Sequence, residues 1–207
     1  MKLYLMRHGE TDWNREGRLQ GQKDIPLNEN GIAQMQRLGE RLRDLPLCVD
    51  KIVSSPLARA AKSAEIIAEY IGFHKPVVYD EDFLERSFGK AEGVPWSSGI
   101  DLSDEAYGAE SADALCRRAE QGIRKYLTTG EEAVLVVAHG AILKAVITVL
   151  SPDPMDYDTT HIPIMQGNLL CGETDSNGKV PHFDWLFEES TTKEDEGCLF
   201  RSGGGLL

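Results

Sequence analysis

Two apolar runs in this chain end in the same way. Leu3 to Met6 reads as a short buried strand that stops at Arg7-His8-Gly9. Ala133 to Ala138, continuously apolar and rich in β-branched residues, stops at His139-Gly140 and suits a central parallel strand covered on both faces. Elsewhere the pattern switches to a helical period. From Asn28 to Leu45 the apolar positions Ile32, Met35, Leu38, Leu42 and Leu45 recur with charges between them, and Asn28 supplies a plausible cap. Lys51 to Ser54 is a short strand. Ser55-Pro56 then reads as an N-cap with proline at the first helical position, opening a helix with Ala61, Ala64, Ile67, Ala68 and Ile71 on one face and its stop at Gly72. Pro76 to Tyr79 suggests another strand, and Ser111 to Thr128 and Ala141 to Leu150 suggest two more helices.

The remaining segments are punctuated by turn formers. Gly93 to Gly108 and Pro152 to Pro163 read as loops, and Ile164 to Cys171 and Val180 to Phe187 as two strands around the turn Asp175 to Gly178. Alternating strands and helices predict an α/β fold with a mostly parallel sheet and helices on both faces. One domain is expected over residues 1–187, followed by an acidic, glycine-ending tail at 188–207 with too little apolar surface to pack.

Composition narrows the function classes. Hydrophobic residues at 41% and charged residues at 27% are globular values for 207 residues, not those of a disordered chain. A net charge of −12 argues against nucleic acid or an anionic membrane as partner, and obliges any anionic substrate to find a local basic pocket. The four cysteines, Cys48, Cys116, Cys171 and Cys198, are scattered without a CxxC pair, as in reduced cytosolic proteins. With no signal-peptide pattern and no membrane-length apolar run, a cytoplasmic location is the expectation. Oligomeric state is not legible in this sequence.

In a parallel sheet, strands that end alike end on one edge, where open α/β sheets place their ligands. His8 and His139 are therefore expected to converge, with Arg7 beside them and Arg59 arriving from the helix that follows the Lys51 to Ser54 strand. Gly9 is read as letting the backbone approach a ligand closely. Two imidazoles and two guanidiniums suit a phosphoryl group: guanidinium forks match phosphate oxygens, and histidine can form a covalent intermediate. Arg59 in a helix's first turn opposes the dipole unless an anion arrives.

The segments RHGETDWN, GRLQGQKDIPLNENG, SSPLARAAKSAEII, LERSFGKAEG and VLVVAHGAI, in that order from Lys2 to about Leu150, resemble the histidine phosphatase superfamily, also called phosphoglycerate-mutase-like. The resemblance implies a three-layer α/β/α sandwich. It implies that His8 is the nucleophile, that Arg7, Arg59 and His139 grip the phosphoryl oxygens, and that Glu85 donates a proton to the leaving group. Asn14, Gln20, Gly21 and Gly140 join Arg7 and Arg59 as expected substrate contacts, with loop capping the plain alternative for Asn14 and Gln20. Arg117 or Arg118, after Glu110-Ser111, falls where the family has structural support. The family needs no metal, so no cofactor is expected, and the expected partner is a small phosphorylated metabolite.

The chemistry sets its own conditions. His8 must be neutral to attack, which nearby guanidiniums favour, and Glu85 must carry a proton, which an adjacent phosphate dianion favours. Glycolytic mutases of this superfamily carry a longer insertion after the glutamate and an RHYGxLxGxNK segment; here Glu85 leads through a short loop to Ala109. That favours a phosphoric monoester hydrolase of the histidine acid type. The alternatives are a cofactor-dependent mutase, an α-ribazole phosphatase-like enzyme, and a phospho-ligand-binding module without turnover.

Overall fold

The computed structural model describes residues 1–45, 47–102 and 105–188. The tail expected from Glu188 therefore lies, beyond that residue, outside the described residues. Six strands form one sheet: β1 (Lys2–Arg7), β2 (Lys51–Ser54), β3 (Val78–Tyr79), β4 (Ala133–Ala138), β5 (Leu169–Glu173) and β6 (Phe183–Phe187). Their order is β3-β2-β4-β1-β5-β6; the first four run parallel, and β5 and β6 are antiparallel additions. The structure thus has the expected mostly parallel α/β architecture.

Five helices accompany the sheet: α1 (Asp12–Arg15), α2 (Glu29–Arg43), α3 (Ala58–Tyr70), α4 (Ala112–Leu127) and α5 (Gly140–Leu150). Alternation along β1 and β4 sorts the core into two halves. Leu3, Leu5, Val134 and Val136 pack with Leu115, Ala119, Ile123, Ile142 and Val146 of α4 and α5. Tyr4, Met6, Leu135 and Val137 face the other way, onto Met35, Leu38, Ala64 and Ile67 of α2 and α3. Each fully buried Val or Leu contributes about 1.5–3 kcal/mol, so the continuous apolar run of β4 is what a strand covered on both faces requires.

Several boundaries differ from the sequence reading. α3 starts at Ala58 with Leu57 as its cap residue, and not at Ser55-Pro56. Ser55 is the first residue beyond β2, where its amide donates to the Val137 carbonyl at 3.0 Å. Ile164 to Asn168 turns rather than extends, so β5 begins at Leu169. β3 is only two residues long, an exposed edge with Val78 and Tyr79 facing solvent. The loop from 93 to 102 is zipped to the loop from 17 to 19 by Leu19 N–H to Val94, Gly93 N–H to Leu19 and Trp96 N–H to Gly17. Leu19, Phe88 and Ala91 form a small apolar cluster beneath that zipper.

Candidate active site

The register of the parallel pair β1·β4 aligns Arg7 with Ala138, so the next residue of each strand, His8 and His139, leaves the sheet side by side. The His8 amide donates to the Ala138 carbonyl at 3.1 Å, and the two rings meet edge-on with centroids 5.0 Å apart. His8 Nδ1 lies 2.6 Å from the Gly9 carbonyl oxygen, which can only accept; Nδ1 therefore carries the proton and Nε2 the lone pair. His139 has the opposite arrangement. Its Nδ1 accepts from Arg59 Nε at 3.2 Å, leaving Nε2 to donate to Ser55 Oγ at 2.8 Å.

Burial, and next the Arg59 guanidinium, hold both imidazoles well below the usual histidine range, with Arg7 adding to the effect on each. Both rings are neutral at physiological pH. The reading of Gly9 as a close approach to ligand is corrected. A Cβ there would lie 2.5 Å from the Gly31 carbonyl oxygen, so the close approach is to the first turn of α2. At Gly140 the neighbour is functional: a Cβ would sit 3.2 Å from Arg7 Nη1.

Arg59, the second residue of α3, is fully buried. Nη1 donates to the Lys23 carbonyl at 2.8 Å and Nη2 to the Gly21 carbonyl at 2.7 Å. Burial brings it down to about 10, against the pull of Glu85 and Asp24, so it stays charged at neutral pH. Arg7 donates from Nη1 to the Ile164 carbonyl at 2.6 Å, while its buried Nε has no protein partner. Neither guanidinium has a carboxylate within ion-pair distance among the described residues. Two such buried cations are the arrangement of a site that an anion completes.

Glu85 projects to the start of α5, where its carboxylate accepts from the amides of Ala141 at 3.3 Å and Ile142 at 3.2 Å, and from its neighbour Arg86 at 2.9 Å. Arg118 anchors this segment: it pairs with Glu110 at 2.7 Å and donates to the carbonyls of Asp82, Leu84 and Glu85. Of the pair Arg117 and Arg118, it is Arg118 that supplies the expected support.

These groups surround a cavity of about 320 Å³. Its wall includes Arg7, His8, Asn14, Gln20, Gly21, Arg59, Glu85 and Gly140, which is every expected site residue except His139. His139 is fully enclosed behind that wall, with both ring nitrogens engaged by protein. Asn14 closes a capping box with Thr11 through Oδ1, so the loop-capping role expected as its alternative is present beside its place on the wall. Gln20 is buried, with Oε1 unpartnered. Gly21, at φ 54°, packs against the Glu92 carboxylate where any side chain would collide. His161 is not on the wall. Trp96 is, stacked edge-on to Phe88 with centroids 6.0 Å apart.

The wall also carries cations the sequence reading did not single out: Arg15, Arg18, Arg86 and Lys144. Arg15 and Arg18 are paired with Asp12 and Glu16, but Arg7, Arg59, Arg86 and Lys144 outnumber the lining carboxylates Glu10, Glu85 and Asp158, so the cavity is locally basic on a chain of net charge −12. Ser55, read from sequence as a cap, accepts from the Leu57 amide at 3.4 Å and is also the partner of His139. The available signal was its position one residue past a parallel strand, on the same edge as the histidines. Among the described residues no cluster of three or more His, Cys, Asp or Glu side chains is placed to hold a metal ion, and no helix is long and apolar enough to cross a membrane. Cys48, Cys116 and Cys171 are free thiols.

Known proteins share the sequence family and the fold. The family model of the histidine phosphatase superfamily (branch 1) matches residues 3–179. A Bacillus subtilis protein described as the uncharacterized phosphatase PhoE is 40% identical over 161 residues, covering 76% of this chain and 81% of that one. An Arabidopsis thaliana metal-independent phosphoserine phosphatase is 35% identical, covering 70% and 66% respectively. A probable phosphoglycerate mutase, GpmB of Erwinia tasmaniensis, is 32% identical over 72% of this chain and 74% of its own. The solved structure of Bacillus stearothermophilus YhfR superposes with a TM-score of 0.76 at 28% identity, over 91% of this chain and 98% of that one. Two neutral histidines between two buried guanidiniums thus sit on a fold and sequence shared with phosphatases and mutases alike, and the chain belongs to the histidine phosphatase superfamily, branch 1.

Proposed function

We propose that this chain is a metal-independent phosphomonoester hydrolase acting through a phosphohistidine on His8. The observation that carries the reading is the state of His8: neutral, its proton held on Nδ1 by the Gly9 carbonyl, and its Nε2 lone pair in a basic cavity. Arg7 and Arg59 bind the phosphoryl oxygens. Nε2 attacks phosphorus, the ester P–O bond breaks, and Glu85 delivers its proton to the departing oxygen. As positive charge develops on the ring, the short bond from Nδ1–H to the Gly9 carbonyl strengthens. Glu85, now a carboxylate, takes a proton from water, whose oxygen attacks phosphorus; the N–P bond breaks and inorganic phosphate leaves with His8 neutral again. The phosphoryl charge stays on its oxygens throughout, so positioning and fixed positive charge carry most of the rate. His139 grips the phosphoryl oxygens with Arg7 and Arg59, exchanging for them one of the partners, Arg59 or Ser55, that hold its ring nitrogens in the free protein.

Hydrolysis is preferred to mutase chemistry because the segment between Glu85 and α4 is short for a lid, leaving little chain to enclose a bisphosphate and exclude water. The test is phosphate release from a panel of small phosphomonoesters in EDTA, wild type beside His8→Ala. Release that survives the chelator and disappears with His8 is expected. Conversion of 3- to 2-phosphoglycerate faster than phosphate release would overturn the hydrolase reading in favour of a mutase. Release unaffected by His8→Ala would remove the phosphohistidine.

A further inference from the structure

One buried amide on α2 lies outside the cavity wall, yet it is two hydrogen bonds from the nucleophile. α2 buries Met35, Leu38 and Leu42, and Gln34 is buried with them. A glutamine so placed needs a polar partner. Its Oε1 accepts from the Glu10 amide at 2.8 Å. That N–H belongs to the peptide unit joining Gly9 to Glu10, and the carbonyl of the same unit accepts from His8 Nδ1 at 2.6 Å. Imidazole, peptide and glutamine thus form one chain of hydrogen bonds, each donor pointing away from His8. The sequence allows it because position 31 is glycine: a Cβ there would lie 2.7 Å from the Glu10 nitrogen. Asn28, the cap of α2, fixes the next residue, its amide donating to the Glu10 carbonyl at 3.0 Å and its Nδ2 to the Glu10 carboxylate at 2.8 Å. From α3, Ser63 Oγ accepts from the Gly9 amide at 3.1 Å and donates to the Arg59 carbonyl at 2.7 Å.

We propose that Gln34 is a positioning residue for the nucleophile: by accepting from the Glu10 amide it polarises the peptide whose carbonyl holds the His8 Nδ1 proton. The assignment rests on the hydrolase reading and adds to it the support of its nucleophile. As Nε2 bonds to phosphorus and the ester P–O bond breaks, positive charge spreads to Nδ1–H, and no proton leaves the ring. A peptide whose N–H is engaged is the better acceptor for that proton, since hydrogen bonds in a chain polarise one another. A carboxylate takes this place in serine-type triads. Here a carboxylate would favour the protonated, unreactive imidazole and repel an incoming phosphate dianion. A polarised peptide orients the ring and adds no charge.

The test compares the wild type with Gln34→Met, which keeps the side chain's length and loses its oxygen, and with Gln34→Glu, which keeps an acceptor at the same atom. All rates are taken per folded molecule. Single-turnover release of nitrophenolate from para-nitrophenyl phosphate should fall about five- to tenfold in Gln34→Met, while the inhibition constant of inorganic phosphate stays within about twofold because Arg7 and Arg59 are untouched. Gln34→Glu should recover most of the rate. In protein with isotopically labelled histidine, the His8 Nδ1 proton resonance should move upfield in Gln34→Met and stay downfield in Gln34→Glu. An unchanged rate in Gln34→Met would overturn the proposal. So would an equal loss in both variants, or a loss of phosphate affinity that matches the loss of rate, since either marks Gln34 as packing alone. No His8-dependent release by the wild type would remove the hydrolase reading and the role of Gln34 with it. Normal release beside an unmoved rate and Nδ1 proton in Gln34→Met removes Gln34 alone.

Discussion

Two polar networks in this molecule are built on opposite principles. At the end of α4, Lys125 reaches Asp80 at 3.0 Å and Asp82 at 2.8 Å, Tyr126 donates to Asp80 at 2.8 Å, and the Asp82 amide caps Asp80. Every charge there has an opposite charge from the chain itself. At the edge of the sheet, Arg7 and Arg59 are more deeply buried, yet they are matched by carbonyls, a neutral imidazole and the distant pull of carboxylates, Glu85 on both and Asp24 on Arg59. A closed network specifies structure; an open one leaves its strongest interaction for a ligand to make. Buried positive charge without a counterion is what the proposed phosphoryl site requires, and the closed network has no such need.

The sharpest way to break the comparison is to remove the cation. Arg59→Met should lower phosphate release by about 100- to 1,000-fold, as loss of one stabilising donor does elsewhere. It should also abolish the rise in Tm that added inorganic phosphate gives the wild type through binding to the folded state. Steady-state kinetics and a thermal shift series in phosphate check both. A variant that keeps its phosphate-dependent shift would show that the anion is held elsewhere.

Acid tests the neutral histidines next. His8 and His139 have folded-state values held well below the ordinary 6.5, so the unfolded chain binds more protons below that pH and stability falls as pH drops through 6.5. Above 6.5 their contribution is constant. Between pH 7.5 and 5.5 each should cost on the order of 1 kcal/mol. Urea denaturation at several pH values should give a slope that His8→Asn reduces by one histidine's share. For the same reason, protonation of His8 should not limit kcat/KM as pH falls from 7.5 to about 6.5, near its unfolded value.

Why some of this was legible in the sequence and some not follows from the range of the contacts. The ends of β1 and β4 could be read because each is a continuous apolar run broken by charge, and parallel pairing alone then puts His8 beside His139. Ser55 was only half legible, because its hydroxyl serves both the Leu57 amide, as a cap would, and His139 from across the sheet, while α3 itself starts later, at Ala58. The Ile164 segment looked extended because apolar composition hides a turn whose carbonyl is committed to Arg7. Lys144 reads as one polar residue on an apolar helix. Its contact with the Tyr157 ring needs a loop with no periodicity folded over it. The basic character of the cavity is likewise invisible in a net charge of −12, since it is a property of which residues meet and not of how many there are.

The support of Glu85 falls between the two networks. Arg118→Ala deletes the pair with Glu110 and three bonds to backbone carbonyls, at a cost of about 2–3 kcal/mol for loss of a partly buried charged hydrogen-bonding group. Because those carbonyls include that of Glu85, kcat should fall with stability. Folded fraction measured beside activity separates the two losses: activity per folded molecule that matches the wild type would reduce Arg118 to a purely structural role.

The mildest substitution is also the cleanest control. Tyr126→Phe removes one donor to Asp80 and leaves its bonds from the Asp82 amide and Lys125, so no buried charge is stranded. The expected cost is about 1 kcal/mol, or about 2–4 °C in Tm for a chain of this size. Burial and Asp80 together push the Tyr126 phenol well up, so it is a pure donor at any working pH and the loss should not depend on pH between 6 and 9. Phosphate release and the phosphate-dependent shift should be unchanged, since no part of the closed network lines the cavity. If Tyr126→Phe altered the phosphate shift, the two networks would be coupled across α4, and the division between structural and functional charge drawn from their geometry would fail.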